Sequence, residues 1–188
     1  MAVTTALTAE PPVRLSTPVL GYVFDSASKS MRPIAGIPGA AAIEGAIASA
    51  SKLEIGFVSQ NRHRLLAATL EGAILVDLTT SKIHELPGTP AGIALGAWSA
   101  DSGSFAVWSR SGDLQVWTNS GETPSLRFAG SAESASGLAV PNDGNSVLYW
   151  NDSGLFRLES SGLQHLVNEP VFGAAIRGDT GEWTAVTA

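Results

Sequence analysis

From residue 53 onward the chain alternates short apolar runs with clusters of Gly, Asn, Asp, Ser and Thr. Apolar runs this short, bounded by residues that tolerate turn geometry, predict β-strands. Three stretches can be laid over one another: RLLAATLEGAILVDLTTSKI (64–83), SFAVWSRSGDLQVWTNSGET (104–123) and SVLYWNDSGLFRLESSGLQH (146–165). Each holds two apolar strands around a glycine turn, at Gly72, Gly112 and Gly154. The turns recur about every 40 residues, a spacing that marks a repeated supersecondary unit.

Each pair of strands is preceded by a polar turn: Ser59-Gln60-Asn61, Ser99-Ala100-Asp101, Pro141-Asn142-Asp143 and Arg177-Gly178-Asp179. Asn and Asp suit such a position because their side chains bond to backbone two residues on. The pattern predicts complete four-stranded units over 53–88, 92–130 and 135–168. A last unit over 171–188 gives two strands, and VLGYVFDSASKSMRPIAG has the look of a third and fourth strand without the first two. Residues 1–18 read as a flexible segment, and 37–52 as a poorly patterned connection with room for a short helix. Phe105, Val107, Trp108, Val116 and Trp117 make both faces of their strands apolar, as do Val147 to Trp150. Strands apolar on both faces are covered on both sides, so the units are expected to stack face to face.

The segment GAWSADSGSFAVWSRSGDLQVWTNSG (96–121) resembles a WD-type repeat, and roughly 53–188, with 19–36 added if the two ends share a blade, resembles the degenerate WD-repeat-like arrays of bacterial β-propellers. The Gly-His pair of that family is absent. Its closing Trp-Asp survives only in halves, as Trp117-Thr118 and Val76-Asp77. The resemblance implies an all-β, propeller-like array of about four antiparallel blades, with Trp117 and Asp77 in structural positions. It also implies closure by one shared blade, with outer strands from 19–38 and inner strands from 171–188. The alternative is part of a larger ring, either a fragment or a protomer that completes eight blades by dimerising.

Charge narrows the partners. With 11 basic and 17 acidic residues the formal net charge is −6, against a nucleic-acid backbone, whose binding depends on Lys and Arg displacing counterions. The one basic cluster, Arg62 to Arg64, reads as a solvated turn. There is no cysteine, hence no disulfide and no thiolate ligand. No segment approaches the ~18 apolar residues of a spanning helix. With no visible signal peptide the default expectation is a soluble, cytoplasmic protein with no membrane partner.

Candidate chemistry is sparse. His84 and His165 recur at matching places in outer strands, which argues for packing or solvation, and His63 has no second ligand at helical spacing. Asp101, Asp143 and Asp179 recur in turns without the alternating carboxylates of a calcium loop. Arg177-Gly178-Asp179 spells an adhesion tripeptide but falls at the repeat's turn. No nucleophile elbow, phosphate loop or dinucleotide fingerprint is present. No residue is therefore assigned as catalytic, cofactor-binding or metal-binding. Glu54 and Arg177, which interrupt apolar first strands, and Trp98, near the end of another, are the candidates for binding at a channel or rim. The expected function is a non-catalytic module of the β-propeller type that binds or scaffolds a protein or small ligand. The competing reading is a propeller hydrolase or lyase with an axial site built on Glu54 and Arg177.

Overall fold

The computed structural model describes residues 18–47, 52–119, 123–177 and 180–187. Every regular element in them is a strand, and no helix among them is long and apolar enough to cross a membrane. The first sheet pairs β1 (Val19–Asp25), β2 (Ser30–Ile37) and β3 (Ala40–Ile43) in chain order. A complete blade follows from β4 (Ile55–Val58), β5 (Arg64–Ala68), β6 (Ala73–Asp77) and β7 (Ile83–Leu86). The second is β8 (Ile93–Trp98), β9 (Ser104–Ser109), β10 (Asp113–Thr118) and β11 (Ser125–Ser131). The third is β12 (Gly137–Ala139), β13 (Ser146–Asn151), β14 (Gly154–Glu159) and β15 (Gly162–Val167). A separate two-stranded sheet ends the array, β16 (Val171–Ile176) and β17 (Trp183–Thr187). All pairings are antiparallel between consecutive strands, and the first strands β4, β8, β12 and β16 touch in succession.

The core lies between sheets. Leu66, Ala68 and Leu75 of the first complete blade share one cluster with Phe105, Val107 and Trp117 of the second. The opposite face of that second blade, through Ala106, Trp108 and Val116, meets Val147, Tyr149 and Leu158 of the third. Central strands are thus covered on both sides, which is why their sequences lose one-face alternation.

Two expectations are corrected here. In the complete blades, second-strand residues that bond back to the first strand carry their side chains toward the following sheet: the Ala68 carbonyl accepts the Glu54 amide, and the Trp150 carbonyl accepts the Ser136 amide. In β1, Tyr22 lies opposite Pro33, which has no N–H to donate, so Tyr22 and Phe24 direct their backbone groups to the open edge. Their side chains pack with Met31, Leu65 and Val76, toward the following blade. That is the phase of a second strand, so β1, β2 and β3 are the second, third and fourth strands of a blade, not only a third and fourth. The run AAAI forms β3 within the stretch read as a poorly patterned connection with room for a short helix; residues 48–51 and 1–17 lie outside the described set.

Nor do the two ends share a blade. The Arg177 amide donates to the Glu182 carbonyl, so by strand alternation Trp183 and Ala185 present the free edge of β17. Ala185 packs toward the preceding blade, with Leu148 and Leu155, whereas Tyr22 and Phe24 pack toward the following one. Residues opposite one another in a sheet share a face, so pairing β17 with β1 would break one of these contacts. Five separate sheets result.

The hairpin turns are built by carboxylates. Asp77 Oδ1 accepts the Thr79 and Thr80 amides at 2.9 and 2.8 Å, and Asp25 Oδ1 accepts those of Ala27 and Ser28 at 3.0 and 3.3 Å. Four residues after each Asp, Ser81 and Lys29 take positive φ. Burial pushes the Asp77 carboxyl up, but hydrogen bonds from Thr80 and Thr79, with Arg64 at 3.5 Å, outweigh it and hold the group below the ordinary carboxylate range. Hydrogen bonds from Ser28 and Ala27, aided by Arg32, do the same for Asp25. A depressed folded pKa stabilises the fold above the unfolded value near 4 and is lost as pH falls through the folded value. Urea midpoints should therefore be flat from pH 7 to about 5 and fall below about 4. In Asp77→Asn the midpoint should start lower at neutral pH and fall less on acidification.

Candidate functional site: a hydrogen-bonded rim and the groove at its end

The turns between first and second strands line one rim; the first two are each braced internally by a Ser with an Asn or Asp, and the third by Asp143. Ser59 Oγ donates to Asn61 Oδ1 at 2.7 Å, and the His63 amide donates to the same oxygen at 3.0 Å. Ser99 Oγ donates to Asp101 Oδ1 at 2.6 Å, which also accepts the Gly103 amide at 2.9 Å. Asp143 Oδ1 accepts the Asn145 amide at 3.0 Å.

The turns also hook onto one another across blades. The Asn61 amide donates to Ser102 Oγ, and the Asp101 amide donates to Asn142 Oδ1, both at 3.2 Å. Ser59, Ser99 and Ser102 are buried in this ladder. The result is a pre-ordered rim whose exposed tips carry Asn61, Arg62, Asp101 and Asp143.

At the last sheet the rim opens into a groove of about 470 Å³, lined by Asn142, Asp143, Leu148, Arg157, Thr180 and Trp183 among others. Among the described residues no third strand pairs with β17, and the groove lies on that side. At the position of Arg157, two residues before the end of the third strand, the earlier blades carry Leu75 and Val116, both fully buried against the next blade. Arg157 instead has a 44% exposed side chain and an ion pair with Glu159 at 2.7 Å. A repeat alignment carries that signal, since a charge stands where its equivalents are apolar; it was not among the residues singled out from sequence.

The expected candidates do not converge. Glu54 stands at the entry to first strand β4 and pairs with Lys29 at 2.8 Å. Arg177 stands at the exit of first strand β16, exposed, with Glu182 at 3.9 Å. First strands run the same way, so the two charges lie at opposite rims. Trp98 is half-buried; its indole N–H donates to the Phe57 carbonyl at 2.9 Å, and its ring lies 4.9 Å from that of Phe105. It braces one blade on the next.

His63 is exposed at a turn, His84 is half-buried opposite Leu75, and exposed His165 stacks on Phe156 at 4.3 Å. Asp101 and Asp143 sit in turns as described, and Asp179 lies outside the described residues. Among the described residues no three His, Cys, Asp or Glu side chains gather to hold a metal.

Antiparallel sheets stacked face to face, with first strands in succession, place this chain in the β-propeller class. Solved structures agree on the fold. The chain is similar to the β-propeller domain of Myceliophteria thermophila Cps50 (Swd1), with TM-score 0.60 and 14% identity over 93% of this chain and 68% of that one. It is also similar to Kuenenia stuttgartiensis hydrazine synthase, with TM-score 0.55 and 13% identity over 88% of this chain and 52% of that one. The chain therefore spans about two thirds of the first and about half of the second. No family model and no curated protein matches the sequence.

Proposed function

We propose that this chain is a non-catalytic binding or scaffolding module of the β-propeller type, whose partner meets the rim formed by the first-to-second-strand turns. The observation that supports it is the ladder joining Asn61 to Ser102 and Asp101 to Asn142. Loops tied to one another in the free protein present a surface whose ordering cost is already met, and pre-organisation of this kind favours binding. Propellers host many unrelated activities, so the reading rests on this surface and not on the fold.

The test is affinity capture from native lysate with the wild-type chain and with Arg62→Glu/Asp143→Arg, which reverses two exposed turn tips. Proteins that depend on the rim should fall about tenfold or more in recovery with the variant, while both chains keep one cooperative urea transition, the variant's midpoint being lower because the Arg62–Leu20 and Asp143–Asn145 hydrogen bonds are lost. Equal recovery by the two, or turnover in a hydrolase or lyase screen with nothing captured, would sink the reading.

A further inference from the structure

We propose that the cleft between the second and third complete blades binds a single carboxylate, presented by an acidic side chain of the rim's partner and anchored by Arg127. This deepens the binding reading above, and rests on it, by naming the chemistry the partner brings.

The cleft holds about 260 Å³ and is lined by Arg127, Phe128, Asn145, Glu159 and Ser160. A complete blade stands on each side, so no strand place is vacant beside it. Asn145 closes the first-to-second-strand turn of the third blade and Ser160 lies in its third-to-fourth-strand turn, and in an antiparallel blade both turns fall at the same rim. Arg127 reaches the cleft because β11 bulges: Trp117 lies opposite Leu126 and Val116 opposite Phe128, which leaves Arg127 as the extra residue. A bulge re-aims the side chain it carries. Arg127 Nη2 donates across the blades to Asn145 Oδ1, and Asn145 is fixed in turn, its backbone amide and its Nδ2 donating to the two carboxylate oxygens of Asp143, both at 3.0 Å. The guanidinium is therefore held by a neutral acceptor. Arg32, Arg64 and Arg157 each face a carboxylate, whereas among the described residues Arg127 has no ion pair.

The arrangement occurs once. At the interface of the first and second complete blades β7 pairs with β6 without a shift of register, and the turn ends at Gly103, which has no side chain to receive a guanidinium. Stacking repeats requires only what the repeats share, so the bulge and its Asn145–Asp143 brace are not needed to hold blades together.

The guanidinium fork keeps free donors in the geometry that a carboxylate accepts, and Ser160 adds a hydroxyl to the wall. Glu159 stands in the same cleft, its charge opposed by Arg157 at 2.7 Å. A second negative charge on the ligand would meet Glu159, and like charges placed together are costly, so the cleft favours one carboxylate over a phosphate dianion.

The probes are the blocked tripeptides acetyl-Gly-Glu-Gly-amide and acetyl-Gly-Gln-Gly-amide, with acetate and inorganic phosphate beside them, titrated into the full chain and followed by NMR at the Arg127 Nε–H, the Asn145 side-chain amide and the Ser160 backbone amide. The Glu peptide and acetate should shift these signals and saturate in roughly the millimolar range. The Gln peptide should bind about fivefold more weakly, and phosphate no more tightly than acetate. Arg127→Lys keeps the charge without the fork and should weaken the Glu peptide about threefold; Asn145→Ala, which frees the guanidinium, should weaken it by a similar factor, and Arg127→Gln should remove binding. Each variant should keep one cooperative urea transition.

Equal affinity for the Glu and Gln peptides, tighter binding of phosphate than of acetate, or Glu-peptide binding that survives Arg127→Gln would overturn the proposal. Acetate binding without Glu-peptide binding would overturn it too, by making the occupant a free small acid. Equal capture by the wild-type and Arg62→Glu/Asp143→Arg chains, with the Glu peptide still binding the wild-type chain, would count against the rim reading and not against the carboxylate site.

Discussion

Phe105→Ala should destabilise the protein by about 3–5 kcal/mol, the range for truncating a fully buried aromatic residue. Phe105 has no exposed surface. Its ring lies 4.9 Å from Trp98 at 48° and is nearly parallel to Trp117 at 6.3 Å. It is also the largest fully buried side chain of the interface that holds Leu66 and Leu75. The cavity would open between blades, where no covalent connection other than the chain itself restores contact. In a stacked array stability is approximately a sum of unit and interface contributions. The loss should therefore appear both as a fall in melting temperature of roughly 10 °C and as a broader transition, because the units on either side are less coupled. Calorimetry reads both. A single sharp transition with a loss under about 1 kcal/mol would mean that the first and second complete blades are not held by this interface.

Much of this fold is legible in the sequence because the strands and turns that build a blade are local. The apolar runs beginning at Arg64, Ser104 and Ser146, each followed by a glycine turn and a second apolar run, become β5–β6, β9–β10 and β13–β14 with edges displaced by a residue or two. The serines and Asx residues of the rim are equally readable as turns.

What was not readable depends on partners far along the chain. That β1 is a second strand follows from Pro33 opposite Tyr22 and from packing against Leu65 and Val76, none of which leaves a periodic mark. The run AAAI forms β3 by pairing with β2 at an exposed edge, without alternation to announce it. Trp98 looked like a surface aromatic until its N–H was found on Phe57, 41 residues away. Glu54 reads in the sequence as a charge interrupting an apolar first strand, and the Lys29 that pairs with it comes from the preceding sheet.

Gly154→Ala should cost about 3 kcal/mol, and Gly162→Ala, its control, about 1 kcal/mol. Both glycines have positive φ, 149° and 138°, where an L side chain is strained. They differ in what a Cβ would meet. At Gly162 nothing lies within 4 Å, whereas at Gly154 the new atom would run into the carbonyl oxygen of Val167, at the end of the fourth strand of the same blade. That oxygen belongs to backbone and cannot swing aside without moving β15 off β14, whose pairing already shifts register between Leu155 and Phe156.

The same approach recurs at Gly72, where a Cβ would lie 2.7 Å from Thr89 Oγ1, the atom that accepts the Ala73 amide at 2.8 Å. The glycine turn of the repeat is therefore a requirement for space as well as for dihedral angle, because the chain leaving the fourth strand passes directly over it. Urea unfolding of both variants, with m unchanged, separates the contributions. If the two substitutions cost the same, backbone strain alone explains the repeated glycine and the close approach contributes nothing.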